Sequence, residues 1–73
     1  MSIQMQLGDY VSVRTGNRRT LYFYTGVVQE IFKSKVRVKC EITFAEHTRY
    51  ETYIFPKEKI VRVGKTRDEV KNF

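Results

Sequence analysis

Residues 26–42 read GVVQEIFKSKVRVKCEI, and the second half of that stretch decides the fold. From Lys35 onward apolar and polar residues alternate strictly. Val36, Val38, Cys40 and Ile42 fall on one side, and Lys35, Arg37, Lys39 and Glu41 on the other. Period-two alternation with β-branched residues on the apolar side predicts a half-buried antiparallel strand. The first half, residues 26–31, reads as its partner, with Lys33-Ser34 as the tight turn between them. One face of this hairpin must build a core, and the other presents a row of cations to water.

Upstream, Gly8-Asp9 is a turn signal, and residues 10–14 (YVSVR) alternate with Val11 and Val13 inward. Residues 15–20 (TGNRRT) read as a loop of turn formers carrying the adjacent Arg18 and Arg19. A strand resumes at Leu21, where parity predicts Leu21 and Phe23 on one face and Tyr22 and Tyr24 on the other. Gly26 breaks that strand as a bulge or sharp bend. Val28 and Ile31 are both apolar but three apart, so a second bulge is expected near Gln29-Glu30.

Downstream, residues 44–48 read as a turn or wider loop and residues 49–55 (RYETYIF) as a strand. Pro56-Lys57-Glu58-Lys59 predicts a tight turn or one turn of 3₁₀ helix. Residues 60–63 form a last short strand stopped by Gly64. Thr66-Arg67-Asp68-Glu69 is a capping-box pattern that opens a short helix, with Val70 and Phe73 as its anchors. The expected core is Val11, Val13, Phe23, Val28, Ile31, Val36, Val38, Cys40, Ile42 and Ile60.

Seventy-three residues make one domain with one small core. One cysteine and one histidine allow neither an internal disulfide nor a zinc constellation. Cys40 reads as a small buried hydrophobe and His47 as a solvated loop residue. No cofactor or metal is implied. The first residues, MSIQMQLGD, have no basic start and no long apolar run, so no signal peptide is expected. No window is apolar enough to cross a bilayer. A cytoplasmic monomer without a membrane partner is the expectation.

Five short strands, a long first loop and a single-turn helix before the last strand predict a small closed barrel, since closure removes strand edges. The chain resembles the SH3-like barrels in two sub-patterns. Residues 8–13 (GDYVSV), 26–31 (GVVQEI) and 36–38 (VRV) resemble a KOW-type arrangement. KOW domains occur in ribosomal proteins and transcription elongation factors, where they contact RNA or the polymerase. Ile54-Phe55-Pro56 followed by Ile60-Val61 is similar to the closing turn of eukaryotic SH3 domains. Their proline-peptide groove is not implied, because the chain has no tryptophan and Lys59 stands where the last tyrosine is expected. The resemblance implies an all-β, five-stranded SH3-like barrel over residues 1–64, followed by a tail, residues 65–73, with a short C-terminal helix.

Charge narrows the function. The net charge is +6, and residues 14–39 hold seven cations against Glu30 alone. The other seven cations and seven anions cancel, so the excess belongs to the first hairpin and its loop. A one-sided basic surface is the footprint of a polyanion. No carboxylate pair, Cys/His pair or Ser/His/Asp set can be assembled, so no catalysis is expected. Lys33 lies at the turn, and Lys35, Arg37 and Lys39 recur every second residue along the strand, at roughly 6.6–7 Å per step, a pitch that can follow a phosphate backbone. Arg14, Arg18 and Arg19, with Tyr22 and Tyr24, supply further cations and stacking rings near it. The expectation is a non-catalytic nucleic-acid-binding module, RNA favoured over DNA because the resembling barrels include ribosomal proteins. The alternative is a module that docks on an acidic protein surface of a larger machine such as RNA polymerase or the ribosome.

Overall fold

Val36, Val38 and Cys40 have no exposed surface, and they meet Val11, Val13, Val28 and Ile60 in one cluster. The alternation in mid-chain therefore does build the core. The structure, a computed structural model, describes residues 4–16, 19 and 21–71. Its elements are β1 (Tyr10–Gly16), β2 (Leu21–Ile31), β3 (Lys35–Phe44), β4 (His47–Pro56), a 3₁₀ turn (Lys57–Lys59), β5 (Ile60–Gly64) and α1 (Arg67–Lys71). The strands form one antiparallel sheet in the order β4-β3-β2-β1-β5. β1 to β4 make a meander, and β5 returns after the 3₁₀ turn to pair with β1. Among the described residues no helix is long and apolar enough to cross a membrane.

β2 joins the two halves of the sheet. Its first part pairs with β1 and its second with β3, and Thr25, Gly26 and Val27 carry partners on both sides. Gly26 lies between Val11 and Cys40. A Cβ there would come 2.5 Å from the Lys39 carbonyl oxygen and 2.6 Å from Val38 Cγ1. The glycine allows the close backbone approach of β3, and the strand continues through it instead of breaking. The register slips between Val28 and Glu30, so the bulge expected there is present. A second shift, between Ser12 and Val13 against β5, had no counterpart in the alternation of either strand.

Continuity through Gly26 reverses one expectation. Tyr24 stands opposite Val13, and residues directly opposite share a face, so Tyr22 and Tyr24 lie on the core side. Leu21 and Phe23 lie on the outer side, Phe23 with 45% of its surface exposed. Phe23 is therefore not a core residue. Ile31 is also exposed and Ile42 only partly buried, while Met5, Tyr24, Phe55 and Val63 pack against the cluster. The bulge returns Ile31 to the core side, opposite Val36, but as the last residue of β2 it keeps 36% of its surface exposed.

The turns follow their local hydrogen bonds. Phe32 N–H donates to the Lys35 carbonyl at 2.9 Å, closing the turn at Lys33-Ser34. Of the turn or wider loop expected at residues 44–48, the chain forms the turn, a two-residue connection at Ala45-Glu46 with Phe44 paired to His47. Ala45 takes a left-handed φ of 57°, which neither a glycine nor an asparagine announces. His47 is accordingly an exposed strand residue. In α1, Thr66 Oγ1 accepts from Glu69 N–H at 3.4 Å, and Glu69 Oε2 accepts from Lys65 N–H at 3.0 Å. Val70 is fully buried, whereas Phe73, the other expected anchor, lies outside the described residues.

Asp9 ties the two ends of the sheet region together. Its carboxylate, nearly excluded from solvent, accepts from Lys65 Nζ at 2.9 Å and from Gln6 N–H at 2.9 Å. The Lys65 hydrogen bond, then the Gln6 amide, hold its pKa below the ordinary 3.8. A depressed carboxylate pKa stabilises the fold above the unfolded-state value and loses that contribution as pH falls through the folded one. The melting temperature is therefore expected to fall as pH drops below 3.8, by less in Asp9→Asn than in the native chain. Equal acid sensitivity of the two, read by thermal circular dichroism, would show that Asp9 carries none of it.

Candidate nucleic-acid interface

The odd-numbered residues of β3 form the outer face opposite the core. Lys35 stands opposite Pro56, Arg37 between Glu30 and Ile54, and Lys39 between Val27 and Thr52. Lys33 follows on at the turn. The expected row is thus brought together on one face. Its members differ in electrostatic state. Arg37 forms an ion pair with Glu30, its direct cross-strand neighbour, and its guanidinium sits 5.6 Å from the centre of the Phe32 ring. Lys33, Lys35 and Lys39 have no carboxylate partner among the described residues. Lys39 Nζ lies 5.4 Å from the centre of the Tyr50 ring, within cation–π range.

The other expected residues are placed elsewhere. Tyr22 and Tyr24 are on the opposite side of the sheet from the lysines, in a ladder of rings. Tyr22–Tyr24 centroids are 5.5 Å apart, Tyr24 stacks on Tyr53 at 6.2 Å and 10°, and Tyr53 meets Phe55 at 6.0 Å. The Tyr53 hydroxyl donates to the Glu51 carboxylate, which pushes its pKa up, and burial pushes up that of Tyr24. These rings close the rim of the core, so they do not line the cationic face. Arg14, exposed opposite Phe23, and Arg19, exposed in the first loop, lie at the far end of β2 from Lys33. Arg18 lies outside the described residues.

Two contributors to the outer face are not among the residues expected at the interface. Tyr50, 60% exposed, is the ring that accompanies the row. Counting back from a two-residue turn at Ala45-Glu46 places it opposite Glu41 and diagonal to Lys39. Lys57 donates from Nζ to the Lys33 carbonyl at 3.0 Å, and its amide donates to Ser34 at 3.0 Å. The 3₁₀ turn thus sets another cation beside Lys33.

Burial raises the Cys40 thiol pKa to about 11, as expected of a core cysteine rather than a nucleophile. No cluster of three or more His, Cys, Asp or Glu is placed to hold a metal among the described residues. Comparison with protein-family models, curated proteins and solved structures finds no match.

Proposed function

We propose that this chain is a non-catalytic SH3-like barrel module that binds single-stranded nucleic acid, RNA in preference to DNA, along the outer face of β3. Support for the barrel is the strand order, a four-stranded meander with a fifth strand returning across a 3₁₀ turn to β1. The observation that carries the function is the set of lysines without carboxylate partners among the described residues, Lys33, Lys35 and Lys39, on one exposed face beside Tyr50. Three cations elsewhere are tied to carboxylates: Arg49 to Glu51, Lys65 to Asp9 and Arg67 to Glu41. Lys33 at the turn and Lys35 and Lys39 on either side of Arg37 can each meet a phosphate, and an exposed ring beside them suits a base. The preference for RNA rests on the KOW-like segments, residues 8–13 and 26–31.

The test is anisotropy titration of short mixed-sequence single strands, RNA and DNA, at about 50 and about 200 mM salt. Three or four phosphate contacts predict a roughly 20- to 50-fold loss of affinity between the two. Failure to bind either strand at the lower salt would turn the same face into a docking surface for an acidic protein.

A further inference from the structure

A groove of ≈ 430 Å³ lies on the same outer face, beyond the row of lysines. Its volume falls within the roughly 300–1,000 Å³ of small-molecule sites. Val27 is at its floor, Tyr10 and Tyr50 are among its walls, and Lys39, Glu41 and Arg67 contribute its charged groups. The register explains the shape. Tyr10, Val27 and Lys39 are successive cross-strand neighbours on β1, β2 and β3, and Tyr50 is the neighbour of Glu41 on β4. The two tyrosines thus stand on strands three spacings apart, roughly 14 Å, with Val27 and Thr25 of β2 and Lys39 and Glu41 of β3 between them. That separation leaves room for one planar ring system between the two phenols.

Charge in the groove is arranged for a nucleotide. Arg67 grips Glu41 with two hydrogen bonds, Nε to Oε2 at 2.7 Å and Nη2 to Oε1 at 2.6 Å. The pair ties α1 to β3 and neutralises the carboxylate that would otherwise repel a phosphate. Glu41 and Arg67 still offer spare lone pairs and N–H groups to the edge of a base. Lys39, with no carboxylate partner among the described residues, stands between the groove and Lys35, which is four residues back along the strand. A strand whose phosphates follow Lys39, Lys35 and Lys33 therefore delivers its next base to the groove.

We propose that this groove takes one unstacked base of the bound strand, stacked against Tyr50 and bounded by Tyr10, with Lys39 on its phosphate; this rests on the nucleic-acid reading above. It makes Tyr50 the aromatic contact of the interface and gives the surface one base-reading position.

The experiment uses the full chain and a short single strand carrying one 2-aminopurine, whose fluorescence is quenched on stacking. Native protein is expected to quench the probe, and its Thr25, Gly26 and Val27 amides to shift on titration. Tyr50→Leu is expected to abolish the quenching and weaken binding roughly 5- to 150-fold with an unchanged salt slope, because a stacked base is lost and no phosphate contact is. The same strand made abasic at the probe position should bind native and Tyr50→Leu protein equally. Native-like affinity and quenching in Tyr50→Leu would overturn the groove and leave phosphate binding standing. Should Tyr50→Leu fold poorly, unshifted amides at residues 25–27 in the native protein bound to the strand would overturn it equally. A native protein that binds no strand at low salt overturns the nucleic-acid reading itself, and the groove with it.

Discussion

Gly26→Ala is expected to leave the protein largely unfolded at ordinary temperature. The new Cβ would sit 2.5 Å from a backbone carbonyl oxygen of Lys39 and 3.0 Å from the Cys40 Cα. Neither neighbour is the flexible end of a side chain, so β2 and β3 must move apart where β2 also pairs with β1. Overpacking of this kind costs about 1–3 kcal/mol or more. A domain of this size has only about 3–5 kcal/mol to lose. Gly8→Ala is the comparison, because nothing lies within 4 Å of its Cβ and only its φ of +88° is strained. That strain is worth about 1–2 kcal/mol. Urea titration by circular dichroism should therefore rank Gly26→Ala well below Gly8→Ala. The reverse order would mean that the strands do not approach closely at residue 26.

The same glycine marks what the sequence could convey. Strict alternation in β3 identified its core face and its cationic face correctly, because a half-buried strand has only two faces to assign. A glycine signals a special backbone position, yet bend and break look alike from the residues alone. Taken as a break, Gly26 frees the parity of the residues before it, and Phe23 then reads as core. Taken as a bend, it carries the inward row from Val28 back to Tyr24, and the tyrosines go to the core side. At residues 44–48 the sequence leaves a tight turn and a wider loop undecided for a related reason. Ala45 adopts a left-handed φ without the glycine or asparagine that usually reveals one.

The electrostatic state of the row was hidden in the bulge. With a regular register, Val28 opposite Val38 would set Gln29 opposite Arg37. The slip removes Gln29 from the ladder and sets Glu30 there instead. Arg37 is thereby neutralised by the only anion in the basic segment, residues 14–39. A single inserted residue thus decides which cations of the row are available to a ligand. Four evenly spaced positive residues in the sequence become three available lysines and one paired arginine.

Replacing Lys33, Lys35 and Lys39 together by glutamine should consequently act more strongly on binding than any choice of three that includes Arg37. Each single-strand phosphate contact contributes about 0.7 to the slope of log affinity against log salt, so the slope should flatten by about 2. At about 0.1 M salt that corresponds to roughly a 100-fold loss of affinity, felt equally by every sequence. Stability should change by no more than about 0.5 kcal/mol, since these are exposed charges with no carboxylate partner among the described residues. Arg37→Gln alone should alter the slope little, because its charge is already compensated. Glu30→Gln, which releases Arg37, should steepen the slope by about 0.7 and tighten binding at low salt. The asymmetry between the two variants is the sharper test, since a general effect of net charge predicts a gain for Glu30→Gln and an equal loss for Arg37→Gln. A triple variant with native affinity and slope would remove the outer face of β3 from consideration. The phosphate contacts would then have to lie at the far end of β2, where Arg14 and Arg19 are exposed.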